Sequence, residues 1–134
     1  MQTVTTQIVS EDSRQLIEFL KKAFGAEELH VMPTSDGKVM HAGLRLGTSI
    51  LFLTDANERF RPTNTNLYLY VDDVDKTYDR AVKAGAQPVA PVTNMFWGDR
   101  WGMVATPCGN VFQIATHVED VSPEEMAQRA TSAP

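Results

Sequence analysis

The stretch "NLYLYVDDVDKTYDRAVKAGA", residues 66–86, decides the fold because it repeats the plan of "TVTTQIVSEDSRQLIEFLKKAFGA", residues 3–26. In the later copy Leu67, Leu69 and Val71 alternate with Asn66, Tyr68 and Tyr70, the two-residue period of a strand with unlike faces. Val74, Tyr78, Ala81 and Val82 then recur at helical spacing, as Leu16, Ile17, Leu20, Ala23 and Phe24 do in the earlier copy. Ser10 or Asp12 is placed to cap the first helix and Asp72 or Asp73 the second, through a side-chain oxygen accepting from an otherwise unpaired N–H. Gly25 and Gly85 stand where a left-handed C-terminal cap belongs, and they are 60 residues apart. One strand-helix module has been used twice.

Each module continues with three more strands. The first adds "EELHVM", "KVMHAGLRL" and "TSILFLT", with "SDGK" and "LGTS" as hairpin turns; the second adds "QPVAPVT", "WGMVAT" and "NVFQIAT", with "FWGDRWG" and "TPCGN" as turns. Alternation sends Leu51, Leu53, Phe112 and Ile114 toward the helices. Ile50, Phe52, Thr54, Val111, Gln113 and Ala115 are left on the opposite face with Asn66, Tyr68 and Tyr70. Such a mixture of rings, amides and small residues suits a ligand groove better than a purely structural sheet contact, which is more often aliphatic. "SPEE" at 122–125 starts a short C-terminal helix, and "MAQRATSAP" reads as a frayed tail. The expected organisation is an α+β domain of two βαβββ modules over residues 1–120, divided near residue 60, with 121–134 appended.

The bulk properties narrow the classes. A chain of 134 residues with 43% hydrophobic and 22% charged residues suits one globular domain. A net charge of -5 with no basic cluster argues against binding nucleic acid phosphates. No apolar run approaches the ~18 residues of a membrane span, and the N-terminus lacks the pattern of a secretory signal. Cys108 is the single cysteine, which excludes an internal disulfide. A reducing, cytoplasmic location is the expectation.

The segments "IEFLKKAFGAEEL", "DGKVMHAGLRLG", "LYVDDVDKTYDRAVKAGA" and "FWGDRWGMVATPCGN" resemble the vicinal oxygen chelate superfamily over residues 4 to 119. That group contains glyoxalase I, extradiol dioxygenases, fosfomycin-resistance enzymes and bleomycin-resistance binding proteins; within it the chain is most similar to the PhnB-like branch. The resemblance implies an open curved sheet around a groove and a homodimer. It also implies four inward metal-ligand positions, which fall near Val4 or Thr5 and at Phe52, Asn66 and Gln113. Phe52 cannot bind a metal, and the two amides are weak neutral donors. Without an ion there is no Lewis acid to polarise a substrate oxygen or activate water. No metal and no cofactor are therefore expected, and the reading leans away from an enzyme.

Trp97 and Trp101 lie within five residues of one another, beside Phe96, Met103, Asp99 and Arg100, with Gly98, Gly102 and Gly109 close by. Each tryptophan alone reads as readily as a plug for the core or for a dimer contact. Together with Phe52, Tyr68 and Tyr70 they read as a flexible aromatic lid or wall for a flat guest. The expected ligand-binding set is Trp97, Trp101, Phe96, Phe52, Tyr68, Tyr70, Asn66, Gln113, Met103, Arg100 and His41. Arg100 has a competing structural role, an ion pair with Asp99 or Asp55. His41 is a polar contact or a general base, although hydrogen-bonded surface histidines are commoner; His30, His117 and Cys108 carry no catalytic motif around them. The leading reading is a metal-independent protein that sequesters or carries a planar aromatic molecule, for antibiotic resistance or self-resistance. The alternative is a glyoxalase-like lyase, isomerase or dioxygenase-type enzyme.

Overall fold

A computed structural model describes residues 1–132. The first module comprises β1 (Thr6–Ser10), α1 (Ser13–Phe24), β2 (Glu27–Pro33), β3 (Val39–Leu46) and β4 (Ser49–Asp55). The second comprises β5 (Asn66–Tyr70), α2 (Val74–Lys83), β6 (Gln87–Asn94), β7 (Asp99–Ala105) and β8 (Val111–His117), and α3 (Pro123–Ser132) follows. Each module forms a mixed four-stranded sheet, in the orders β1-β4-β3-β2 and β5-β8-β7-β6. The first strand of each module runs parallel to the last, and the other neighbours are antiparallel. The two-module α+β architecture is thus the one expected from the repeat. Among the described residues no helix is long and apolar enough to cross a membrane.

Local chemistry sets the ends of the helices. Of the alternatives, Asp12 and Asp73 act as caps, their carboxylates accepting from the N–H groups of Gln15 and Lys76. Gly25 takes the left-handed conformation at φ 69° and donates back to α1. Asp55 secures the first module: its two oxygens accept from the backbone N–H of Ser13 at 2.8 Å and of Val39 at 2.7 Å. Thr116 does similar work in the second module, accepting from Val74 N–H and donating to the Val71 carbonyl. Ser122 caps α3 through Glu125 N–H. Rather than fraying from Met126, α3 stays helical to Ser132, and Arg129 ties it to Glu119 and to the Phe96 carbonyl at 3.4 Å. Residues 133 and 134 of the expected tail lie outside the described residues.

One core serves both modules. Leu16, Ile17, Leu20, Ile8, Leu44, Leu51 and Leu53 are buried together with Val104, Phe112 and Ile114 of the second module. Phe19, three residues after Leu16 and four before Ala23, completes the apolar face of α1. With Phe24 it meets the fully buried Phe112, at ring-centroid distances of 5.8 and 5.4 Å. Each such side chain contributes ~1.5–3 kcal/mol on burial, and here that burial joins the modules. Helix packing and this aromatic seam hold them together, since no strand of one sheet pairs with a strand of the other.

Candidate functional site

The register of the second sheet gathers most of the expected residues on its helix-free face. Tyr68 pairs with Gln113 and Gln113 with Met103; Tyr70 pairs with Ala115 and Ala115 with Trp101; His117 pairs with Asp99. Directly paired residues point to the same side of a sheet. Tyr68, Tyr70, Gln113, Trp101, Met103, Asp99 and His117 consequently share one surface. The rings pack edge-on or tilted: Tyr68 and Tyr70 at 5.3 Å, Trp97 and Trp101 at 6.2 Å, Phe96 and Trp97 at 4.9 Å. Ala115 faces the same way yet is fully buried, so the rings close over it.

Asp99 organises the wall. It is 1% exposed, and its Oδ2 accepts from the Tyr68 hydroxyl at 2.6 Å, the Tyr70 hydroxyl at 2.8 Å and the Trp97 indole N–H at 3.2 Å. Its Oδ1 lies 3.0 Å from His117 Nδ1. Burial pushes the Asp99 carboxyl up, but the bonds from Tyr68, His117, Tyr70 and Trp97 together prevail and hold it below the usual carboxylate range. The same contacts raise the phenols: burial first and then the bond to Asp99 for Tyr68, the bond to Asp99 first for Tyr70. A separate chain of bonds runs from Trp101 Nε1 to Gln113 Oε1 at 3.0 Å and from Gln113 Nε2 to Asn66 Oδ1 at 2.9 Å.

His117 stands between two carboxylates, with Nε2 2.7 Å from Asp120 and Nδ1 3.0 Å from Asp99. A neutral imidazole has one N–H, so satisfying both contacts requires the imidazolium. The hydrogen bond to Asp120, and then that to Asp99, accordingly raise the His117 pKa. Sequence reading gave His117 no role and Asp99 only a possible ion pair. Strand alternation contained the missing signal, because Asp99, Trp101 and Met103 are two residues apart on β7.

Other expected members are placed elsewhere. Arg100 points to the opposite face of β7 and forms a forked ion pair with Asp75 of α2, at 2.8 and 3.0 Å, plus a bond to Asn94. Its competing structural role is real, but the partner is neither Asp99 nor Asp55. Phe52 and His41 belong to the first sheet, where His41 lies 4.7 Å from Phe52 and 5.0 Å from His30 between ring centroids. Gly43 pairs with Phe52, and its lack of a side chain admits the His30 ring: a Cβ there would come within 2.6 Å of it. The first-strand position opposite Phe52 is Gln7, because Val4 and Thr5 precede β1. Cys108 is in the β7–β8 turn, beside α1.

The glycines around the tryptophans serve close packing rather than mobility. Gly98 is buried at φ 101°, and an added Cβ would collide with the Glu119 carbonyl oxygen. Gly102 is buried beneath the Tyr78 ring. The segment is therefore a wall built on a strand and a tight turn, not a flexible lid. A cavity of about 510 Å³ lies between the modules, lined among others by Thr6, Phe24, Leu51, Leu67, Tyr68 and Tyr70. Its size suits a small organic molecule. Tyr68 and Tyr70 belong to both cavity and wall, whereas Trp97 and Trp101 lie only on the wall. Among the described residues no three His, Cys, Asp or Glu side chains form a group able to hold a metal ion.

Residues 2–114 match the family model described as the Glyoxalase/Bleomycin resistance protein/Dioxygenase superfamily. The chain belongs to that superfamily. An uncharacterized protein of Mycobacterium bovis is 33% identical over 140 aligned positions, covering 96% of this chain and 92% of its own. A Mycobacterium tuberculosis H37Rv protein gives the same identity, over 82% of its length. Among solved structures, TioX from Micromonospora sp. ML1 superimposes with a TM-score of 0.75 at 24% identity, over 88% of this chain and 100% of that one. TnmS3, an antibiotic binding protein from Streptomyces sp. CB03234, gives 0.68 at 22% identity, over 86% and 99%. The PhnB protein of Bacillus cereus gives 0.68 at 18%, over 86% and 99%. At these identities the structural likenesses establish the glyoxalase fold alone.

Proposed function

We propose that this superfamily member is a metal-independent binding protein that sequesters or carries a planar, largely apolar aromatic molecule, with a role in antibiotic resistance or self-resistance. The observation that carries the reading is the wall itself. Tyr68, Tyr70 and Trp97 converge on a single buried carboxylate, so aromatic surface is held in place without being withdrawn into the core. Tyr70 remains 64% exposed and Tyr68 39%. Pre-oriented rings lose little freedom when a flat guest stacks on them. The fold shared with an antibiotic binding protein supports the choice of guest, and the fold shared with a PhnB protein supports placement in that branch. The residues at the expected metal-ligand positions favour binding without an ion. The enzymatic alternative with His41 as base has less support, since its ring packs against His30 and Phe52 rather than on a carboxylate.

The functional unit in this reading is a homodimer. Strands β1 and β5 are each at the edge of a sheet, and exposed edges are commonly covered. A thermal-shift screen against polycyclic and heteroaromatic compounds tests the binding reading. A ligand present at 100 times its Kd stabilises by ~2.7 kcal/mol, a readily measured rise in Tm. A panel that leaves Tm unchanged at millimolar ligand would contradict it.

A further inference from the structure

We propose that the wall selects planar guests bearing a delocalised positive charge, such as N-alkylated aza-aromatics, over uncharged or anionic rings of the same shape. The proposal rests on the wall being the binding surface and adds the chemical class of its ligand.

The donor inventory gives the first reason. The hydroxyl hydrogens of Tyr68 and Tyr70 are committed to Asp99, the Trp97 N–H is shared between Asp99 and the Tyr68 oxygen, and the Trp101 N–H is committed to Gln113. One N–H of the Gln113 amide is in turn bonded to Asn66, so the donors left on this face are the second Gln113 N–H and the Asn66 amide, away from the rings around Asp99. A guest that needs hydrogen-bond donors for a carbonyl or carboxylate finds those of the rings already spent, and taking one from Tyr68, Tyr70 or Trp97 would strip a buried carboxylate of its partner. Ring faces and acceptor lone pairs remain on offer. The negative face of an aromatic ring attracts a cation, and a phenol donating to a carboxylate is polarised in the same sense.

The charges around the wall give the second. Asp99 lies at the hydroxyl and N–H edges of the rings, and Asp120, Glu119 and Glu125 lie beside their Trp97 end. Against these stand His117 and Arg129, each already bonded to two of the carboxylates. Arg100, next to Trp101 in sequence, is turned to the other face and paired with Asp75. A guest cation on the wall therefore meets a net negative field, and an anionic guest meets repulsion.

Isothermal titration with three probes of one ring skeleton tests this: N-methylacridinium, acridine at pH 8.5 where it is uncharged, and anthracene-9-carboxylate. Cation contacts with two or three partly exposed rings should make N-methylacridinium bind about tenfold tighter than acridine. Anthracene-9-carboxylate should bind more weakly than either. Asp99→Asn should bring the cation and its neutral partner to within about twofold. Asp120→Asn, at an exposed position that burdens the fold little, should narrow the gap if Asp99→Asn does not fold. Equal affinity of the wild type for N-methylacridinium and acridine would overturn the charge preference while leaving the binding reading intact. Saturable binding by none of the three would overturn both.

Discussion

Replacing Asp99 by asparagine removes one charge at nearly constant volume and tests the organisation of the wall. Oδ2 now accepts from Tyr68, Tyr70 and Trp97, and Oδ1 faces His117. An asparagine oxygen can keep the Tyr and Trp donors, and its NH2 can face His117 only if that ring is neutral. Three charge-assisted bonds then become neutral ones, falling from ~1.5–3 to ~0.5–1.5 kcal/mol each. The raw loss is about 3–4.5 kcal/mol. Exposed Tyr70 can partly replace its bond with water, so a net destabilisation of about 2–3 kcal/mol is expected. For a chain of this size that corresponds to a Tm lower by roughly 6–12 °C. Urea unfolding monitored by circular dichroism measures the free energy, and tryptophan emission reports whether Trp97 has been released toward solvent. An Asp99→Asn protein within about 0.5 kcal/mol of wild type, with unchanged emission, would refute the claim that this carboxylate organises the wall.

The His117 pKa is raised in the native state, so its contribution to stability is fully present below the unfolded value of ~6.5 and is lost as pH rises through the native one. Urea midpoints from pH 5.5 to 8.5 should show that loss in the wild type and not in His117→Gln; the same profile in both proteins would contradict the assignment. Asp99, held low, gives the opposite sign: its contribution is present above ~3.9 and is lost as pH falls through its native value. Elemental analysis of the purified protein should find no stoichiometric zinc, nickel, manganese or iron; about one equivalent, released on changing Gln113, would count against a metal-independent site. Light scattering at micromolar concentration should give twice the chain mass, and a monomer mass would remove the homodimer from the account.

The fold was legible because the repeat places strands, helices and caps by local rules. Asp12, Asp73 and Gly25 act where short-range chemistry puts them. The site was legible only in part. Alternation correctly grouped Tyr68, Tyr70 and Gln113, and adjacency joined the tryptophans to them. Convergence on Asp99 depends on register between β5, β7 and β8, strands far apart in sequence. Arg100 was misassigned because nearness to Trp101 in sequence puts it on the other face of the strand, and its partner Asp75 is on a helix. Phe52 and His41 were grouped with the tryptophans as the facing sheet of one groove; they lie in the first sheet, where the His41 ring packs on Phe52 and His30. The glycines suggested mobility from composition, but what each one packs against is a tertiary fact.

Titrating planar heteroaromatic compounds into wild type, Trp97→Ala and Trp101→Ala, read by quenching of the remaining indole fluorescence, tests the central claim most directly. The account predicts saturable quenching of the wild type at micromolar ligand. Each substitution should weaken binding by ~1–3 kcal/mol with the fold retained, because the core around Leu51, Leu53 and Phe112 is untouched. Proteins that lose several degrees of Tm on either substitution, while the wild type shows no saturable quenching with any planar compound, would contradict it: the tryptophans would then be part of the fold alone.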